Sequence, residues 1–385
     1  MTREFSLSIP TRTPLFSRAQ WFSIISLVIL VYAWVLFGTS NSAQGSALHI
    51  SDYSLTLVGK ILCFAIVAIA IDLVWGYCGI LSLGHGLFFA LGGYAMGMYL
   101  VQAKAPGDTS EQLPAFTNLL SWTELPWFWG GTQYLIWALI LALFVPGLVA
   151  FIFGYFAFRS RIKGVYLSIM TQALTYAAML LFFRNETGFG GNNGFTDFKY
   201  ISGYSISSTE TRTVLFLISF SCLVLVFILA RAIVTSRLGK ILTAIRDSES
   251  RVMFLGYKPL PYKLAIWTFS AVLCGLAGAL YVPQVGIINP SEMSPINSIE
   301  LLVLVAVGGR ASIIGGVLGA FTVNGAKTFF TAFLPEYWLF ILGSMFIIVT
   351  LFMPKGLIGL IQKFRLPKRT ISDQSPQPSL AGESS

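Results

Sequence analysis

The chain predicts an all-α fold, a polytopic transmembrane helical bundle of about 8–10 spans, and three observations carry that prediction. Charged residues make up 11% of the 385 positions, less than half of the ~25% usual in soluble domains. Hydrophobic residues reach 55%. Long uncharged apolar runs recur from Trp21 to Met353, and a run of about 20 such residues is what a helix needs to cross the hydrocarbon core. A β-barrel would instead show short strands of alternating polarity.

Ten apolar segments can be marked, at about 20–38, 54–75, 83–101, 133–157, 164–183, 213–234, 263–282, 298–308, 312–332 and 336–353. The first follows Arg3, Arg12 and Arg18 and resembles a signal peptide, but its apolar length from Trp21 to Phe37 exceeds a cleavable core, so an uncleaved first span is expected. Between the second and third lies Gly76-Tyr-Cys-Gly-Ile-Leu-Ser-Leu-Gly-His-Gly86, which holds one of only two histidines. Glycine-interrupted backbone at membrane depth is tolerated where protein covers it or where it lines a polar cavity. A tight turn with an incidental histidine is the plainer alternative. Segment 298–308 is too short to cross alone and is followed by Gly308-Gly309-Arg310 and Gly315-Gly316. It reads as a broken or re-entrant piece, which either crosses with 312–332 or dips and returns.

If the N-terminus is cytoplasmic, the inside loops collect 18 lysines and arginines and the outside loops only Lys104, Arg184, Lys199 and Arg212. That asymmetry is the positive-inside pattern, and it places both termini in the cytoplasm. It also accounts for the net charge of +9 without invoking nucleic acid. The expected organisation is a cytoplasmic N-terminal segment at 1–19, a transmembrane domain at 20–362, and a Ser/Pro/Gln-rich, disordered cytoplasmic tail at 363–385. Cys63, Cys78, Cys222 and Cys274 all lie in or beside apolar runs, without metal-ligand spacing, and read as small packing residues.

No residue set looks catalytic, so the chain is not expected to be an enzyme. Gly325-Ala-Lys-Thr328 lacks the Gly-Lys pair of a phosphate-binding loop and sits in an apolar span. Loop 235–262 has a different character. Ile241, Leu242 and Ile245 share one helical face, while Arg246, Asp247, Glu249 and Arg251 supply charge on others, so a short amphipathic helix ending near Gly256 is expected. Such a helix suits docking into a groove on a soluble partner, or else contact with lipid headgroups through its arginines. Asp72 and Glu300 are intramembrane acids and functional candidates by default; pairing with Arg310 or Lys327 is the structural alternative. Lys60 and Lys327 sit nearer the outer ends, where their ammonium groups can snorkel. The outer loop from Arg184 to Asp197 sets amide and acid side chains among glycines, which suits either a close-fitting partner or a mobile turn.

The stretch Gly76 to Tyr94 resembles the signature of membrane subunits of branched-chain amino acid-type ABC importers. Gly239 to Tyr257 resembles that family's ATPase-coupling segment, and Ser270 to Leu280 its following span. Three stretches narrow the likeness to the urea-importer branch and its second, LivM-like permease subunit: Arg159-Ser-Arg-Ile-Lys-Gly-Val-Tyr166, Phe183 to Gly194, and Tyr281-Val-Pro-Gln-Val-Gly-Ile-Ile-Asn-Pro290. The resemblance covers roughly residues 55–362. Two departures stand out: the coupling loop lacks the Glu-Ala-Ala pattern of many other importers, and Asp72 stands where amino acid permeases of the family tend to carry an amide.

The resemblance implies an inner-membrane complex of this chain, a second permease subunit, two ATPase subunits and a periplasmic substrate-binding protein. It implies no cofactor for this chain, ATP being bound by the partner subunits. Urea is small, neutral and polar, so its path needs hydrogen-bond partners and no strong fixed field. Asp72, Ser82, His85, Thr171, Gln172 and Glu300 are candidates along the path, with Asn192 and Asn193 at the outer mouth; Arg246, Asp247, Glu249, Arg251 and Gly256 are candidates for ATPase coupling. The same machinery for branched-chain amino acids or short amides is the nearest alternative, because a zwitterion would want opposite charges or helix ends along its path. A stand-alone secondary transporter or channel is a further alternative, against which the loop 236–258 argues.

Overall fold

Each apolar run of the sequence is a helix in the computed structural model, which describes residues 15–40, 50–105, 117, 124–353 and 355–365. Expectations about Arg3, Arg12 and the tail from 366 onward fall outside the described residues. In chain order the helices are α1 (Arg18–Ser40), α2 (Asp52–Asp72), α3 (His85–Gln102), α4 (Leu135–Arg159), α5 (Val165–Phe183), α6 (Thr209–Thr235), α7 (Arg237–Phe254), α8 (Pro259–Val285), α9 (Pro295–Gly308), α10 (Ile313–Phe333), α11 (Trp338–Phe352) and α12 (Gly356–Arg365). Seven of these, α1, α2 with its extension to Tyr77, α4, α5, α6, α8 and α10, are long and apolar enough to span a membrane among the described residues. Serine hydroxyls cap several helix starts: Ser51, Ser208, Ser236, Ser294 and Ser312 each accept from a backbone N–H in the first turn of the helix that follows. Each cap satisfies a donor that the helix itself leaves unpaired.

Helices in lipid gain little from hydrophobic burial against one another, so close backbone approach and packing must hold them. Small residues provide it here. A Cβ on Gly92 would lie 2.0 Å from the Gly275 carbonyl oxygen, one on Gly278 1.9 Å from that of Phe89, and one on Gly275 2.2 Å from that of Ala142. These contacts fuse α3, α8 and α4 into the centre of the bundle, beside the almost wholly buried inner half of α2. The same device joins α9 to α10, where a Cβ on Gly308 would meet the Gly315 oxygen at 1.8 Å and one on Gly319 the Leu304 oxygen at 1.9 Å. By contrast α1 presents Phe22, Ile25, Leu30 and Trp34 outward. It is tied to α6 by the Tyr32 and Ser221 hydroxyls and by stacking of Phe16 on Phe227.

The strands are two residues each. β1 (Phe195–Thr196) pairs antiparallel with β4 (Ile287–Ile288), and β2 (Tyr200–Ile201) with β3 (Tyr204–Ser205). Arg159, Arg161, Lys163, α7, Lys258, Arg310 and Lys355 all fall at the helix ends that gather at one pole of the bundle, here termed the basic end. The segment between α5 and α6 lies at the other.

The short segment 298–308 is resolved by its neighbours. After α8 the chain turns back into the bundle through β4 and a turn at Pro290–Met293, and α9 starts in the interior. Fourteen residues then carry it to the basic end, where a Cβ on Gly309 would lie 2.5 Å from the Lys355 oxygen. α10 makes the return crossing. The segment is therefore a half-helix entered by a re-entrant loop.

The glycine contacts make a specific expectation. Gly278→Ala must displace the Phe89 backbone and should lower the melting temperature of the purified protein by several degrees, in the range of about 1–3 kcal/mol for overpacking. Gly325→Ala, in α10 with nothing within 4 Å of its added Cβ, should leave it unchanged or raise it.

Candidate functional site

α2 does not end cleanly. It continues as a π-helical turn, Leu73–Tyr77, and then as an extended segment through Gly84. A break of this kind frees backbone groups inside an apolar bundle, where each must find a partner. The Gly76 oxygen accepts from Arg246 Nη1 at 2.8 Å. Asp72 Oδ1 accepts from the Ala311 N–H at 2.7 Å. The Arg310 guanidinium lies 4.7 Å from the Trp75 ring centre. Only glycine fits at 76, where a Cβ would stand 2.1 Å from Asp72 Oδ1 and 2.5 Å from the Ala311 nitrogen. Gly79, at φ +76°, lies directly under the Arg246 side chain. The break, α7 and the turn before α10 thus form one knot, with Asp72 inside it. Its other oxygen, Oδ2, has no hydrogen-bond partner.

Beyond the break the extended segment is stitched to α5. Ser168 Oγ donates to the Leu81 oxygen at 2.8 Å, the Leu83 N–H donates to Thr171 Oγ1 at 3.1 Å, and Ser82 Oγ accepts from the Gly84 N–H at 3.1 Å. α3 then begins with His85 in the interior, packed edge-on against Phe88 and Trp267. Its Nε2 is 2.9 Å from Ser270 Oγ, whose single proton is donated to the Ala70 oxygen at 2.7 Å. Ser270 is therefore the acceptor, His85 carries its proton on Nε2, and Nδ1 is a bare acceptor with no partner. Ser270 lies eleven residues into α8, about 16 Å from the basic end at 1.5 Å per residue, which is near mid-depth.

The first turn of α3 meets the first turn of α9. A Cβ on Gly86 would lie 2.8 Å from Ser298 Oγ and 3.2 Å from the Glu292 oxygen. Ser298 Oγ is buried without a partner, as are both amide atoms of Gln172 on α5. Thr171 and Thr175 spend their protons on α5 carbonyls. The interior junction of α3, α5, α8 and α9 thus collects uncharged donors and acceptors with spare capacity. Toward the non-basic end it is roofed by aromatic rings. Tyr94, nine residues along α3, packs edge-on against Phe182, Phe189 and Phe195, and Phe182 stacks on Phe189 at 3.9 Å. Over them folds the loop from Arg184 to Asp197, fixed by β1 and by Trp129 Nε1 donating to the Gly188 oxygen at 3.2 Å. Asn192 and Asn193 are exposed at its tip.

Glu300 lies apart from this junction and holds Lys327 Nζ with both oxygens, at 2.7 and 2.8 Å. Lys60 rests between the Phe64 and Tyr281 rings, and the Tyr281 hydroxyl donates to Glu292 at 3.3 Å.

α7 buries Leu242, Ile245 and Val252, with Ile241 half-buried. The predicted continuous helix is interrupted at Ser248, whose backbone is extended at φ −164°, ψ 94°. Asp247 pairs with Arg246 at 3.0 Å on the exposed side, and Arg251 is exposed. Glu249 is an internal clamp: it takes Lys163 at 2.6 Å and Lys263 at 2.7 Å, joining the α4–α5 turn to α7 and α8. Past the kink, Met253, Phe254 and Leu255 point outward, Phe254 being 91% exposed, and Gly256 closes the helix at φ +85°. Of the residues singled out in the sequence, Ser82, Thr171, Gln172 and His85 lie on the break, α5 and the start of α3. Sequence reasoning missed Ser270, Ser298 and the aromatic roof, although Ser294-Pro295 was a readable helix start inside the re-entrant piece.

Half-helices ending at a neutral polar junction within an apolar bundle define a multi-pass membrane permease. The chain belongs to the family described as branched-chain amino acid transport system / permease component, whose model matches residues 53–350. It is similar to the high-affinity branched-chain amino acid transport system permease protein LivM of Salmonella typhimurium, 23% identical over 357 residues, covering 87% of this chain and 74% of that protein. LivM of Escherichia coli is 24% identical over the same length and shares. The permease protein LivH of Escherichia coli is 24% identical over 312 residues, covering 77% of this chain and 91% of that protein. No solved structure gives a significant match. As a member of this family the chain is a transporter subunit of the inner (plasma) membrane.

The Glu249 clamp has a pH signature. Burial pushes the Glu249 carboxyl up, but hydrogen bonds from Lys163 and Lys263 and their charges outweigh it and hold it below the ordinary glutamate value. A depressed carboxyl stabilises the fold above its unfolded value, about pH 4.3, and that stabilisation disappears as pH falls through the lower folded value. Thermal unfolding from neutral to acid pH should therefore show Glu249→Gln less stable than wild type at neutral pH, with the gap closing on acidification. A gap independent of pH would refute the clamp.

Proposed function

We propose that this chain is the permease subunit of an ATP-driven importer that moves urea, delivered by a periplasmic binding protein, across the inner membrane by alternating access. The observation that carries the solute is the junction at the starts of α3 and α9. His85 Nδ1, a bare acceptor, suits a urea N–H; the Ser298 hydroxyl and helix-start N–H groups suit its carbonyl oxygen. Glu292, whose carbonyl borders the junction, has its carboxylate engaged by the Tyr281 hydroxyl, and Glu300 is engaged with Lys327. That environment fits a neutral polar solute better than a zwitterion. The names of the relatives favour branched-chain amino acids as the second reading.

ATP energy reaches the junction through α7. In this reading the basic end faces the cytoplasm, and the outward Met253, Phe254 and Leu255 seat α7 in a groove of an ATPase subunit. Movement of α7 pulls directly on the Gly76 carbonyl through Arg246, and on α5 and α8 through Glu249. A second permease subunit and a second ATPase complete the machine, and the binding protein docks over Asn192 and Asn193.

Uptake of micromolar labelled urea, with and without the chain and with excess leucine as competitor, tests the solute. Loss on deletion without leucine competition is the expected result; leucine competition would replace urea with the amino acid reading. His85→Ala should lower urea uptake by roughly tenfold, the worth of one hydrogen bond of about 1–1.5 kcal/mol, with assembly intact. Arg246→Ala should leave ATP hydrolysis by the assembled complex while uptake falls severalfold. Equal losses of both would assign Arg246 to assembly instead.

A further inference from the structure

A cleft of about 310 Å³ opens toward the surroundings of the bundle between α1, α6 and the start of α10. Gln20 and Ser23 of α1, Tyr77 at the end of the break, Arg231 of α6 and Ser312 give it a polar rim; Phe16, Ile24, Phe227 and Ile314 give it an apolar wall. We propose that this cleft binds the phosphate of an anionic membrane lipid, with Arg231 as its cation.

Arg231 carries the argument. Its side chain has no ion pair or hydrogen bond among the described residues, and its Nε is buried without a partner there. Its guanidinium rests 5.9 Å from the Phe16 ring centre, and Phe16 stacks on Phe227, so the charge is held in place without being neutralised. A half-buried guanidinium with a buried, open Nε–H is costly unless an acceptor answers it, and phosphate answers it with charge-assisted hydrogen bonds. Among the described residues no Asp or Glu lines the cleft. A zwitterionic headgroup would thus leave its ammonium without a partner, whereas an anionic one would not.

Position selects a lipid over a soluble anion. Arg231 lies four residues before the end of α6, about 6 Å from the basic end, at headgroup level. Ile24 and Phe227 lie one turn deeper on their helices. The cleft therefore grades from polar to apolar along the direction in which a lipid grades from phosphate to acyl chain. Its outer wall, α1, is apolar on its outward face, so a chain leaving the cleft passes into bilayer. At the rim, Asp72 occupies the Ala311 N–H and Ser312 Oγ that of Gly315. The Tyr77 hydroxyl is bonded to the Ile313 backbone, and the Ile314 N–H in the first turn of α10 adds positive potential beside Arg231. The proposal is independent of which solute the permease carries.

The test uses the assembled transporter in detergent, incubated with phosphatidylglycerol, phosphatidylethanolamine or millimolar inorganic phosphate. Native mass spectrometry reads the retained lipid, and thermal unfolding reads the stabilisation. Wild type should retain phosphatidylglycerol in preference to phosphatidylethanolamine and melt higher with it. Arg231→Gln should weaken that retention by about tenfold, as expected for a lost charge-assisted pair, and Arg231→Lys should restore part of it. Ser23→Trp, which fills the cleft from α1 and leaves Arg231 untouched, should also abolish retention and decides the matter if Arg231→Gln does not assemble. Arg159→Gln, exposed at the same end, should retain lipid like wild type. Equal retention of the two lipids, or undiminished retention in Arg231→Gln and Ser23→Trp, would overturn the site. Stabilisation by inorganic phosphate equal to that by phosphatidylglycerol would overturn the lipid as its occupant.

Discussion

The structure depends on how it answers one constraint: backbone that leaves the helix inside an apolar bundle must be paired by something else. Between Tyr77 and His85 the chain gives up regular hydrogen bonding for about two turns' worth of sequence, and side chains from distant parts of the chain take its place. Arg246 answers Gly76, Ser168 and Thr171 answer Leu81 and Leu83, and Asp72 reaches across to Ala311. The partners come from α5, α7 and the turn before α10, so the break cannot change shape alone. Those pairings turn a local irregularity into a junction of α2, α5, α7 and the turn before α10.

A bundle with such a junction needs rigid surroundings, and the glycine contacts supply them. Where α3, α8 and α4 touch backbone to backbone, rotation of one against another would drive a carbonyl into a neighbour. α7 lies outside this centre, at the basic end, and is tied to it through Arg246 and Glu249. The kink at Ser248 divides α7 into a first part anchored by Leu242 and Ile245 and a second part whose apolar tip is exposed. Glu249 stands one residue past the division and ties it to two other helices.

The helices were legible in the sequence because crossing a bilayer demands long apolar runs, and those runs leave little room for ambiguity. His85, Ser82 and Thr171 were legible as candidates because polar side chains are few in such runs, and His85 stands between two glycines. The placement of Asp72 was not, since nothing local tells whether an acid faces a cavity or a turn more than two hundred residues later; its partner Ala311 contributes only backbone. The Ser298 hydroxyl escaped notice for a related reason: its meaning comes from Gly86, a residue with no side chain to advertise the contact. Glu249 read as surface charge because its two lysines come from separate turns. The aromatic roof drew on four segments whose phenylalanines and tyrosines were, one by one, ordinary for an apolar chain.

The two-residue ladder between β1 and β4 bears on the order in which the molecule is completed. Phe195 and Ile288 are paired across the length of α6, α7 and α8, so the loop after α5 has no partner strand until those three helices have been made and inserted. During synthesis that loop therefore has the contacts of Trp129, Tyr94 and Phe182 available to it but not its strand pairing. Its closure is a long-range contact of the kind that forms late, and it seals the bundle in the same step that draws the chain back inside to begin α9. Resistance of that loop to an added protease therefore works as a clock for the maturation of the whole chain.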